Sequence, residues 1–250
     1  MAPDKRRYRG AHPKDWELFA DPKVEVLRRA SVEYAWLLEH HYSPDASLKL
    51  VGDHHGLAAR QRAALQRCTC SRSRAIARSS LRVPVERAAR RNVWIDGFNV
   101  LVTVEAALSS GPVFVAKDGA LRDMASMHGT YRSVATTIPA VRAIGQVVLS
   151  AQPQEVVWLL DAPVSNSGRL RALIESIGHE QGWSWRCELS ADPDRELLQP
   201  QVAGGLVATA DSGVLDRLLS LPVDRRPSWL NLARLVVDSK VPDAWVIDLG

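Results

Sequence analysis

Three short apolar runs in this chain each end on a carboxylate and lead into a helical stretch: VWI into Asp96, VWLL into Asp161, and LVATA into Asp211. A strand buried on both faces reads as a continuous hydrophobic run, and strands alternating with helices imply a parallel sheet wrapped by helices. Such strands point one way, so the charges at their ends gather along one rim. In open α/β sheets that rim is where ligands bind. The pattern therefore predicts an α/β fold with a mostly parallel central sheet and acids along its carboxyl edge.

Around these runs the chain reads as follows. NVWI, EVVWLL, WSWRCEL, LVAT and AWVIDL carry strand character, and PVFVAKDGAL predicts a small hairpin turning at Lys117-Asp118-Gly119. Helical spacing runs through VLVTVEAALSS, RDMASMHGTYRSV, IPAVRAIGQVVLSAQ, GRLRALIESIGHEQG and SGVLDRLL, and SWLNLARLVVD offers another helix.

Ahead of this part, residues from about Pro22 to Arg78 read as helical. Tyr42-Ser43-Pro44 stops one helix, Asp45 is placed to cap the next, and Gly52 is expected to break it before AARQRAALQRC resumes. Two short helices joined through glycine, the second carrying Arg60, Arg62 and Arg67, have the outline of a helix-turn-helix; they equally fit an ordinary helical pair. SRSRAIARSSLRVPVERAARR reads as a junction. It divides an all-α, helix-turn-helix-like domain (1–88) from an α/β domain (89–250).

Charge is unevenly spread. Residues 60–91 hold ten arginines and one carboxylate, Glu86, whereas residues 92–250 carry 13 basic and 18 acidic groups. A compact arginine-rich segment is the footprint of a polyanion partner such as RNA, with DNA the alternative; a solvated charged face is the plainer reading. No run is long enough for a membrane helix, the N-terminus lacks a secretory h-region, and three cysteines give no disulfide framework, so the expected location is the cytoplasm. His40, His41, His54, His55, Cys68 and Cys70 share one helical region, yet their spacings match no strong zinc pattern. No P-loop, dinucleotide fingerprint or nucleophile triad is present. A phosphatase of the two-aspartate type needs an acid two residues after Asp96, where Phe98 stands.

Each acid has two readings. Asp96 and Asp211 suit helix N-caps, Asp161 a turn, Asp194 the cap of RELLQPQ, and Asp216 an ion pair on its helix. Gathered together, with Asp192 and Asp194 from the loop after WSWRCEL, they would repel unless a cation sat among them. Mg²⁺ and Mn²⁺ are hard ions that prefer such oxygen donors, and they can activate water for phosphoryl displacement. Ser165, Ser167, Gly168 and Arg169 open the helix after Asp161, where backbone N–H groups favour a phosphate or a simple side-chain cap.

VWIDGFNVL resembles the opening motif of the PIN-like nucleases, in particular their NYN branch, whose first strand ends in Asp-Gly-x-Asn. LVATADSGVLDRL resembles the later strand of that fold, ending in Thr/Ser-x-Asp and continuing to a second acid, and SADPDRELL resembles its acidic loop. The likeness spans roughly residues 92–220. The whole chain also resembles an uncharacterised prokaryotic family with the same two-part layout. The PIN resemblance implies a Rossmann-like fold and metal-dependent cleavage of RNA. Asp96, Asp194, Asp211 and Asp216 would hold one or two Mg²⁺ or Mn²⁺ ions, the metal set proper being Asp96, Asp194 and Asp211, and Asn99 would orient an acid or a water. Asp161 is an acid the family pattern does not require. RDMASMHGTYR adds Asp123, His128, Tyr131 and Arg132, placed either to touch substrate or to face solvent. The competing expectation is a PIN-like fold that binds nucleic acid or regulates without cutting.

Overall fold

The computed structural model describes Arg9 and residues 11–125 and 129–250. Five helices come first: α1 (Asp15–Leu18), α2 (Asp21–Glu39), α3 (Pro44–His54), α4 (Ala59–Cys68) and α5 (Arg72–Ser80). Then follow β1 (Asn92–Asp96), α6 (Gly97–Leu108), β2 (Val113–Val115), β3 (Leu121–Asp123), α7 (Thr137–Leu149), β4 (Glu155–Asp161) and α8 (Ser167–Gln181). The chain closes with β5 (Trp185–Ser190), α9 (Pro193–Glu196), β6 (Leu206–Ala208), α10 (Ser212–Leu219), β7 (Ser228–Leu230), α11 (Leu232–Lys240) and β8 (Val246–Asp248). Among the described residues no helix is long and apolar enough to cross a membrane.

The central sheet has the order β5-β4-β1-β6-β7 and every pairing in it is parallel. After β1 the chain builds outward on one side through β4 and β5, then returns to the other side of β1 for β6 and β7. The order reverses between β1 and β6, and an α/β sheet opens its ligand crevice at such a switch point. Alternate residues fill opposite faces. Val93, Ile95, Val156, Trp158 and Leu160 pack under α6, α7, α8 and α11, while Trp94, Val157, Leu159, Val207 and Trp229 pack under α10 and the α9 segment. Trp158 and Trp229 are fully buried, and truncating either to alanine would cost about 3–5 kcal/mol.

A second sheet, β3-β2-β8, joins the helical segment to the rest. One face, with Phe114, Ala116, Ile247 and Leu249, packs on Phe19, Val24, Leu27 and Leu65 of the N-terminal helices. The other face, with Val113 and Leu121, packs on Ala106, Ala107 and Val237 of α6 and α11. The chain junction near residue 88 falls at a 3-10 turn, Val85–Ala88, but the helices on one side of it share their core with strands on the other.

Four sequence expectations need correction. Gly52 does not end α3; it lies inside the helix with ordinary backbone angles and leaves room for the Arg62 guanidinium, 2.5 Å from an ideal Cβ, and the turn comes at Gly56, whose φ is +60°. The helix expected over residues 122–134 is absent where the chain is described: Arg122 and Asp123 pair antiparallel with Phe114 and Val113 in the predicted hairpin. Residues 228–230 form β7 rather than the start of a helix, since Trp229 fits a fully buried sheet position. The arginine-rich junction contains a docked helix, α5, and Arg78 is its buried anchor.

That anchor belongs to a buried ion network. Asp118, in the hairpin turn and fully buried, is held by Arg78 at 2.9 Å and by Arg122 at 2.7 Å. Burial alone would raise its pKa, but Arg122 and then Arg78 outweigh that and hold it below the usual carboxylate value. A lowered folded pKa gives stability that is present above the ordinary carboxylate range and lost as pH falls through it. Removing one partner of such a group strands buried charge. Asp118→Ala is therefore expected to cost about 3–5 kcal/mol in urea unfolding at pH 7. Lys49→Ala, at the exposed Lys49–Asp53 pair, should leave the midpoint unmoved. Equal effects would contradict this picture.

Candidate active site

The site begins with the residue that ends β1. Asp96 stands opposite Leu159 of β4, and Ile95 opposite Ala208 of β6, so the ends of all three strands lie side by side. Gly97 follows because a side chain there would meet the Leu159 carbonyl, 2.7 Å from an ideal Cβ. The chain thus enters α6 tight against β4, and Asp96 stays on the rim. Asp96 occupies the N-cap position of α6 but its side chain caps nothing. It accepts a hydrogen bond from the Thr209 hydroxyl instead, at 2.7 Å.

Thr209 links two acids. Its Oγ1 accepts the Asp211 N–H at 3.0 Å while donating to Asp96. The Ala210 N–H donates to Asn99 Oδ1 at 2.6 Å. From the far side, Trp229 Nε1 donates to the Thr209 carbonyl at 2.8 Å and Arg122 Nε to the Ala210 carbonyl at 2.9 Å. Residues 209–211 are therefore clamped across the switch point. Asn99 keeps its Nδ2 donor uncommitted among the described residues.

Asp96, Asp161, Asp194 and Asp211 converge electrostatically. Burial, followed by the charges of Asp194, Asp211 and Asp161, pushes the Asp96 carboxyl up to about 7 against the pull of the Thr209 hydrogen bond. Asp161 is raised as well, first by burial and then by Asp194 and Asp192. Asp211 does cap its helix, accepting the Val214 N–H at 2.9 Å through Oδ1. Asp192 likewise caps α9 through the Arg195 N–H at 3.0 Å. Asp194, half-exposed on α9, pairs with Arg217 of α10.

Other sequence candidates lie elsewhere or are otherwise engaged. Asp216 is drawn away from the rim by Arg74 at 2.6 Å and Arg78 at 2.7 Å, so it serves the docking of α5. The three arginines assigned to nucleic acid hold the fold. Arg60 pairs with buried Asp15, Arg62 bonds Asp53 and the Leu57 carbonyl, and Arg67 bonds the Asp123 carbonyl at 2.8 Å. The buried Ser167 hydroxyl donates to the carbonyls of Asp161 and Val164, so it closes the loop ahead of α8. Ser165 is bridged through its backbone to Gly129 and Tyr131, while Arg169 is exposed on the first turn of α8. Tyr131 is buried and donates to Glu105 at 2.6 Å, and Asp123 accepts from Thr103 at 2.7 Å. His128 lies outside the described residues.

Thr209 is the threonine of the Thr-x-Asp motif, and the sequence reading gave it no place in the site; the structure puts it between Asp96 and Asp211. The donor set at the rim consists of carboxylate oxygens, one of them buried among like charges, and this fits the chemistry of a hard divalent cation. Three ligand atoms within 4.8 Å of one another occur, among the described residues, at Glu33, His54 and His55 and not at this rim.

The arrangement is that of an α/β carboxylate site at a topological switch point. The chain belongs to the family described as "Domain of unknown function (DUF5616)", which matches residues 85–226, more than half of its length. Residues 26–80 match the family described as "Protein of unknown function (DUF434)". The chain is also similar to "Uncharacterized protein MJ0935" of Methanocaldococcus jannaschii, with 24% identity over 189 residues that cover 76% of this chain and 88% of the relative. No solved structure matches it.

With its folded pKa raised to about 7, Asp96 binds an extra proton in the folded state between about pH 4 and 7, so stability falls as pH rises through that window. Asp96→Asn keeps an acceptor for Thr209 and removes the charge. In metal-free buffer the variant should gain about 2–4 kcal/mol over the parent at pH 8 and little at pH 4, by denaturant titration. A gain that is the same at both values would contradict the charge crowding.

Proposed function

We propose that the chain is a metal-dependent ribonuclease of PIN-like fold that hydrolyses phosphodiester bonds at the β1/β6 switch point. The observation that carries this reading is the interlock of Asp96, Thr209, Asp211 and Asn99, with Asp161 and Asp194 close enough to act on the same buried carboxyl. Asp96, Asp211 and Asp194 are the residues that would hold Mg²⁺ or Mn²⁺. Such an ion, when bound, supplies Lewis-acid activation of water and neutralises phosphate charge. Asp161, which has no ion-pair partner among the described residues, is the group to accept a proton from the attacking water. Asn99 presents its Nδ2 donor to an acid or a phosphate oxygen. The Asp211 cap fixes one of its oxygens and leaves the other for the ion.

Arg195 and Arg217 are exposed next to the acids, on α9 and α10. A polyanion entering the site competes for Arg217 and so releases Asp194 from its ion pair. This gives the phosphate attraction a different source from Arg60, Arg62 and Arg67. The same ion pair favours the second reading, a PIN-like fold that binds nucleic acid without cutting, because it occupies one metal-holding acid.

The test is cleavage of a mixed RNA pool and a matched DNA pool by the untagged chain in Mn²⁺ or Mg²⁺. RNA cleavage is expected, lost at least about a hundredfold in Asp96→Asn and in Asp211→Asn, and retained in Asp216→Asn. Tight binding with no cleavage in either ion would establish the second reading. Cleavage unchanged in Asp96→Asn would overturn the site.

A further inference from the structure

A second set of metal-ligating groups lies away from the sheet edge, between α2 and the end of α3. Glu33 of α2 and the consecutive His54 and His55 each offer one ligand atom, and the three atoms lie within 4.8 Å of one another. His55 Nε2 and Glu33 Oε2 are 2.8 Å apart, and the two imidazoles meet edge to face with centroids 4.8 Å apart. Neighbouring residues on a helix point about 100° apart. The pair converges because His55 is the C-cap, at the point where α3 turns toward Gly56. The His55 ring is mostly covered, while Glu33 and His54 remain exposed beside an apolar groove lined by Val32, Trp36 and Leu50.

We propose that Glu33, His54 and His55 form a binding site for a borderline transition ion of the zinc class. Two imidazole nitrogens and one carboxylate oxygen are the donors such ions select, in contrast to the all-carboxylate rim. Ligand bonds of about 2.0–2.2 Å in a tetrahedron set donors about 3.3 Å apart, so the His55–Glu33 contact would widen by about half an ångström. The exposed Glu33 side chain has the freedom to give that, and the ion replaces the proton the contact now shares. With three protein donors the fourth position is left to water, on the groove side. Asp53, next in the chain, is committed to Lys49 and Arg62 and is not a donor. The sequence spacing gave no sign of this site, because its third ligand lies on another helix.

The ion would fasten α3 to α2 without touching the rim. The probe is Zn²⁺ itself, titrated calorimetrically into the untagged, EDTA-stripped full chain, with Co²⁺ absorption reporting coordination geometry. One zinc per chain is expected at micromolar affinity or tighter, equally in the parent and in Asp96→Asn, with a tetrahedral cobalt spectrum. His54→Ala and Glu33→Gln alter exposed side chains and should keep the parent's circular dichroism while weakening zinc at least about tenfold. Zinc affinity unchanged in both variants, or abolished by Asp96→Asn, would overturn the proposal and leave Glu33–His55 as a plain hydrogen-bonded contact between helices.

Discussion

Parallel pairing of β1 with both β4 and β6 is the constraint from which the rest of the structure follows. It sets three strand ends side by side and places the reversal of strand order between Asp96 and Thr209. One hydroxyl then bridges the two sides of the reversal, donating to Asp96 and accepting from the Asp211 backbone. A shift of β6 by one residue would turn Thr209 to the opposite face and dissolve the interlock. The fully buried strands, with Trp158 and Trp229 on opposite faces, make such a slip prohibitive.

Behind the rim stands the buried network of Arg78, Asp118, Arg122 and Asp216. It joins α5, the β2–β3 hairpin and α10, and through Arg122 it reaches the Ala210 carbonyl, one residue from Asp211. Part of the basic character of the 60–91 stretch is therefore engaged within the fold, although Arg72, Arg82, Arg87 and Arg90 remain exposed. Arg60 and Arg62 close ion pairs within the helical segment, Arg67 reaches the Asp123 carbonyl, and Arg74 and Arg78 tie α5 to Asp118 and Asp216 by charge, beside the core shared with the small sheet.

The strand–acid–helix pattern made the parallel sheet and its acidic edge legible, because continuous apolar runs and their terminal carboxylates are local features. The Lys117–Gly119 hairpin was legible for the same reason. Pairings made across the chain were not. An arginine that anchors to Asp118 looks in sequence like one that faces solvent. Asp216 looks like a site acid until Arg74 and Arg78 are seen on it, and Gly52 looks like a breaker until Arg62 is seen against it. Asp96 and Asp211 both read as helix caps, yet only Asp211 acts as one, and that difference depends on where Thr209 lies in space.

The central claim is that the rim acids share a divalent ion. The most direct measurement is an anomalous difference map from crystals soaked in Mn²⁺. Density bonded to oxygens of both Asp96 and Asp211, with Asp194 released from Arg217 toward it, is the expected result. A map with no manganese at that edge, and Asp96 still engaged with Thr209 alone, would contradict the account.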